Sequence, residues 1–86
     1  MRIKLKLVGF PEMECLIGGK EIDLEIEGNT FGDLLCYLEK NFGRAVARNL
    51  RQQILRNGKE WIRWDGLTHS LQDGDQLTFL RMMGGG

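Results

Sequence analysis

A single histidine, a single proline and two cysteines are all that this 86-residue chain carries of the residue types that most often mark chemistry or interrupt structure. Two cysteines cannot supply the four thiolates an iron–sulfur cluster normally requires, nor a metal-ligand cluster, nor a dense disulfide framework. Cys36 lies beside Leu34, Leu35 and Leu38 and is expected to be a small buried hydrophobe. Cys15, in a stretch that reads as a turn, is expected at the surface, which favours a reducing compartment. No apolar run approaches a membrane span or the hydrophobic region of a signal peptide. The expected location is the cytoplasm, with no membrane partner. Net charge is also lacking: twelve basic side chains balance twelve acidic ones, so the whole chain is not an obvious polyanion binder. The signs are unevenly spread, with five basic and eight acidic residues in 1–43 and seven basic and four acidic in 44–86. Arg44, Arg48 and Arg51 would share one face of a helix. A nucleic-acid footprint needs a larger basic excess or aromatics on a platform, so a solvated face is expected and no nucleic-acid partner.

The same scarcity excludes most enzyme chemistry. His69 sits among turn residues without a ligand cluster, and neighbouring Ser70 has no nucleophile-elbow motif around it. Asp73 and Asp75 flank Gly74, but the further oxygen ligands and closing glutamate of a calcium loop are missing, so a tight turn is expected there. The glycine pairs do not stand between a strand and a helix, which argues against a phosphate cradle. No catalytic residue, metal ligand or bound cofactor is expected, and the chain is not expected to be an enzyme.

What is present is an ordinary folded composition, 42% hydrophobic and 28% charged, in a length that suits one domain. Ile3, Leu5 and Leu7 alternate with Arg2, Lys4 and Lys6, the period of a strand with one buried face. "PEMECLIGGKE" reads as a turn region on the strength of Pro11 and Gly18-Gly19. Ile22, Leu24 and Ile26 then alternate with acidic residues, and a hairpin would set those acids against the basic residues of the first strand. Thr30 and Asp33 have the spacing of a capping box, followed by Phe31, Leu34, Leu35, Leu38 and Phe42 at helical spacing. Gly43 is a plausible stop, and "RAVARNLRQQ" suggests a short second helix. Asn57-Gly58 between strand-like runs is the preferred sequence of a two-residue hairpin turn. Trp61 and Trp64, three apart, are expected to face different ways. In "QLTFLRMM", Leu77 and Phe79 share one face of a last strand, and Thr78 and Leu80 the other. The fold class predicted is α+β, a sheet with one main helix packed on one face.

The order of elements resembles the ubiquitin-like β-grasp fold with its mixed sheet. The segments "ILRNGKEW" and "LQDGDQLTFLRMMGGG" resemble the MoaD/ThiS family of sulfur-carrier proteins. That family shares an asparagine-containing hairpin, a Gly-Asp step before the last strand and an exposed Gly-Gly end. Length places the resemblance nearer the molybdopterin-synthase small subunit than the shorter thiamine-pathway carrier. The resemblance implies a β-grasp domain over 1–83 and a flexible glycine tail over 84–86. It further implies that an adenylyltransferase of the ubiquitin-activating type, using ATP and magnesium, converts the Gly86 carboxylate to an acyl-adenylate. A sulfur donor then yields a thiocarboxylate, delivered to a sulfur-accepting synthase subunit for molybdenum- or tungsten-cofactor assembly. On this reading the chain is a protein cosubstrate or a small synthase subunit. Gly85 and Gly86 are the reactive end and Gly84 adds freedom, because residues without Cβ let the backbone approach closely in a narrow channel. Leu80, Met82 and Met83 are the expected docking residues. "RMMGGG" departs from the proline- or valine-type segment common before the glycines, which bears on the downstream partner. Two other readings share the tail: a ubiquitin-like modifier conjugated through Gly86, and a non-catalytic β-grasp binding module.

Overall fold

A computed structural model of the chain describes residues 1–50, 52–63 and 65–81. The elements in order are β1 (Arg2–Val8), α1 (Pro11–Ile17), β2 (Glu21–Glu25), α2 (Phe31–Phe42), α3 (Arg44–Asn49), β3 (Gln53–Arg56), β4 (Glu60–Ile62) and β5 (Gln76–Leu80). They build a five-stranded sheet in the order β2-β1-β5-β3-β4. The central β1–β5 pair is parallel and the other three pairs are antiparallel, which makes the sheet mixed.

The expected pairing of the first two strands is present, with Arg2, Lys4 and Lys6 opposite Glu25, Asp23 and Glu21. Their connection is not the expected turn: Pro11–Ile17 is a helix. Pro11 occupies its first turn, where the missing N–H costs nothing, and left-handed Gly18 closes it by donating its N–H to the Glu14 carbonyl. Met13 and Ile17, four apart, are the buried pair that seats it. Proline and glycine therefore frame a helix here.

Thr30 and Asp33 form the expected capping box of α2: the Thr30 hydroxyl accepts from the Asp33 amide at 3.2 Å and the Asp33 carboxylate accepts from the Thr30 amide at 3.1 Å. The next two amides, of Phe31 and Gly32, donate to the carbonyls of His69 and Leu67, each at 2.9 Å. Phe31, Leu34, Leu35 and Leu38 are buried against the sheet and Phe42 is partly so. Cys36 corrects the sequence reading, being exposed. It stands two residues from Leu34 and from Leu38, about 200° round the helix from each, and so off the apolar stripe. Ile3, Leu5, Leu7, Ile54, Leu77 and Phe79 meet α2 from the sheet and close the core. The short helix expected after Gly43 is α3, which buries Val46 and Ala47.

Candidate functional site

β5 carries the chain toward its C-terminal glycines, and its alternation decides what surrounds that exit. Leu77 and Phe79 are fully buried, while Gln76, Thr78 and Leu80 point to the uncovered face of the sheet and are half-buried. Leu80 thus has the expected orientation. The two neighbouring strands add to it. Val8 of β1 stands beside Leu80 in the parallel register and is 43% exposed. On β3, Leu55 lies opposite Thr78, and Trp61 of β4 lies opposite Leu55 and is 59% exposed. Val8 with Leu80 and Leu55 with Trp61 form two apolar pairs, offset diagonally because Leu80 faces Gln53 and Leu55 faces Thr78, and together they make an apolar strip on an otherwise polar face. Uncovered faces of antiparallel sheets are usually polar, and the strip departs from that pattern. Val8 and Leu55 were not singled out from the sequence, although each breaks the polar side of its strand's alternation. Trp61 is exposed; Trp64, Arg51, Met82, Met83, Gly84, Gly85 and Gly86 lie outside the described residues, as does the expected boundary after residue 83.

The hairpin asparagine and the Gly-Asp step, which pointed to the family separately, are in contact. Asn57 and Gly58 both have positive φ, 53° and 70°, as the turn requires. Arg56 pairs with Glu60, so the loop spans three residues rather than two. The Asn57 amide group donates to Asp75 Oδ1 at 3.1 Å, and its oxygen accepts from the Gln76 amide at 2.9 Å. Asp75, 6% exposed, also accepts from Arg56 Nε and from the Gln72 amide, both at 2.8 Å. Burial alone would push the Asp75 carboxyl up; the hydrogen bonds from Gln72, Asn57 and Arg56 outweigh it and hold the group below its ordinary value. Arg56 reaches on to Glu60 at 2.9 Å, and Glu60 lies 3.2 Å from His69 Nε2. Arg56 first and His69 second keep Glu60 below the usual carboxylate range. This network ties the β3–β4 hairpin to the start of β5, and so sets the strand that bears Leu80. His69 is a half-buried loop histidine, hydrogen-bonded to Glu60.

Among the described residues no three histidine, cysteine or acidic side chains are grouped so as to hold a metal ion, and no helix is long and apolar enough to cross a membrane. The exposed apolar strip beside the exit of β5 is the feature that bears on function.

The model of the ThiS family matches residues 10–86. Small archaeal modifier protein 3 of Haloferax volcanii is 27% identical over 92 residues, covering 98% of this chain and 100% of that protein. The solution structure of small archaeal modifier protein 1 from Methanosarcina acetivorans superposes with a TM-score of 0.70 at 25% identity, over 99% of this chain and 96% of the other. A putative molybdopterin converting factor subunit 1 from Pyrococcus furiosus has the same fold, with a TM-score of 0.62 at 21% identity over 93% and 95% of the two chains. With the paired asparagine and aspartate, the mixed β-grasp sheet and a family match over nearly its whole length, the chain belongs to the ThiS family, among the ubiquitin-like carrier and modifier proteins.

Proposed function

We propose that this protein is a sulfur carrier whose Gly86 carboxylate is the reactive group. An oxygen of that carboxylate attacks the α-phosphorus of ATP, held with magnesium by an adenylyltransferase of the ubiquitin-activating type, and pyrophosphate leaves. Sulfide from a donor then attacks the acyl carbon, AMP leaves, and a thiocarboxylate remains. The carrier passes this sulfur to a synthase subunit acting on a pterin precursor of the molybdenum or tungsten cofactor, in the cytoplasm. The folded domain is the handle, and the partner solves the positioning problem. The observation that carries this reading is the apolar strip of Val8, Leu80, Leu55 and Trp61 on the face that α2 leaves uncovered, beside the strand leading to the glycines. Intact mass of protein purified from its native host tests it: a gain equal to the sulfur–oxygen difference, localised to the C-terminal peptide, is the expected result.

Leu80→Ala and Leu80→Glu are expected to weaken binding to the activating enzyme more than they lower stability. Leu77→Ala, in the core, is expected to cost roughly 2–5 kcal/mol of stability. Titration calorimetry and denaturant unfolding compare the two. Equal destabilisation by Leu80→Ala and Leu77→Ala would show that Leu80 is core and not docking surface.

The terminal carboxylate, and neither cysteine, is expected to carry the sulfur. Cys15 is exposed on α1 with Glu12 and Glu14 on the same short helix. Cys36 shares a groove with Glu25, Glu27 and Asp33. Both settings are mainly acidic, the opposite of what activates a relay thiol. A Cys15→Ser, Cys36→Ala double variant is therefore expected to load sulfur as the natural sequence does. Loss of loading with fold and adenylation intact would place a cysteine in the relay.

The second reading, a modifier amide-linked through Gly86 to target lysines, is favoured by the modifier proteins among the relatives. It uses the same activation, and high-molecular-weight conjugates of a tagged chain in its host separate it from the carrier.

A further inference from the structure

The last described residue, Arg81, is held from three sides. Its amide donates to the Val8 carbonyl at 3.0 Å, carrying the β1–β5 pairing one residue beyond β5. Its guanidinium pairs with the Glu12 carboxylate at the start of α1. The same guanidinium lies over the ring of Phe10, 4.6 Å from its centroid, and that ring is fully buried. Gly9 makes room for the arrangement: its φ is +85°, and a Cβ placed there would sit 3.2 Å from Arg81 Cβ. All three contacts come from the Val8–Glu12 segment, the entry to α1.

We infer that Arg81 is a positioning residue, clamped by Glu12 and Phe10 so that it continues the line of β5. This rests on the activation proposed above. The clamp ties α1 to the function, for a short helix inserted between two paired strands supplies the carboxylate and carries the turn that admits the arginine. The Glu12 carboxyl is held below its ordinary value chiefly by the Arg81 hydrogen bond, which agrees with a formed pair. Holding the root of the tail removes conformations that the activating enzyme would otherwise have to select against, and such preorganisation is read in affinity rather than in the chemical step.

Two measurements decide it. In the free protein, Glu12→Gln should speed hydrogen exchange at the Arg81 amide and leave the amides of β1 and of Gln76–Phe79 unchanged. An unchanged Arg81 rate overturns the clamp. The second measurement is ATP–pyrophosphate exchange catalysed by the activating enzyme of the native host. Glu12→Gln and Arg81→Gln should each raise KM for the carrier by about two- to fivefold, the range one exposed ion pair can supply, with kcat unchanged. The charge swap Glu12→Arg with Arg81→Glu restores the ion pair but not the contact with the Phe10 ring, whose face attracts cations only, and should recover part of that loss. If Arg81→Gln impairs exchange while Glu12→Gln does not, and the swap fails to rescue, Arg81 touches the enzyme directly and the inference is wrong. Exchange indifferent to all these variants overturns the positioning role and leaves activation standing. No exchange with the natural sequence sinks the activation reading and the positioning role with it, while the hydrogen-exchange result still judges the clamp.

Discussion

Removal of Gly85 and Gly86 is expected to abolish ATP–pyrophosphate exchange and sulfur loading while leaving thermal unfolding unchanged within error. Among the described residues the buried core spans Ile3 to Phe79 and the Asn57–Asp75 network joins β5 at Gln76, and a terminal glycine tail is expected to add few packing contacts. The loss would be complete because the carboxylate that replaces Gly86 sits two residues nearer the sheet. An extended chain spans about 3.3–3.6 Å per residue, so the shortened end falls roughly 7 Å short of the phosphate. Circular dichroism melts and the exchange assay on the same preparations check both halves. A large drop in melting temperature would make the terminal glycines structural and end the carrier account. Unimpaired exchange would do the same from the other side.

Asp75→Ala is expected to be the most damaging polar substitution in the fold, at about 3 kcal/mol. Removing a buried carboxylate from its charge pair costs about that much, although Glu60 still holds Arg56 and water can reach Asn57 and Gln72. Here Arg56 Nε, the Asn57 amide group and the Gln72 amide would all lose an acceptor. For a domain of this size the change corresponds to a fall of roughly 12–24 °C in Tm. Asp75→Asn keeps the shape and loses the charge, and should fall between. The pair also predicts a pH dependence. A carboxyl whose pKa is lower in the folded than in the unfolded protein adds stability above its unfolded value, and that contribution is lost as pH falls through the folded value. Asp75, Glu60 and Asp33 are all lowered in this way, from ordinary values of 3.8, 4.5 and 3.8. Stability should therefore hold above about pH 5 and decline below about pH 4, and the decline should be shallower in Asp75→Asn. Denaturant unfolding across that range checks it. A cost under about 1 kcal/mol for Asp75→Ala would place the pair with ordinary surface bridges.

Much of this architecture was legible in the sequence because its signals are local. The capping box and apolar stripe of α2, the alternation of β1, β2 and β5, and the left-handed Asn57-Gly58 turn each express how one segment presents its side chains. Two local signals were misread. Pro11 and Gly18 punctuate a helix whose only buried contacts are Met13 and Ile17, too few to show a period in the sequence. Cys36 followed its leucine neighbours in the reading, but its angle round the helix puts it outside.

What the sequence by itself determined is which face of β1, β2, α2 and β5 is apolar and, through the family's paired motifs, what kind of protein this is. Only the tertiary structure decided that Asn57 meets Asp75, eighteen residues on, that Val8 stands beside Leu80, and that Glu12 reaches Arg81 from sixty-nine residues away. Periodicity reports a segment's own two sides and carries no record of which strand lies next to it. That choice is made when β1 and β5, at opposite ends of the chain, pair in parallel so that Ile3, Leu5 and Leu7 can share a core with Leu77 and Phe79 under α2. The Val8–Leu80 end of the apolar strip and the clamp on Arg81 both follow from that one non-local pairing.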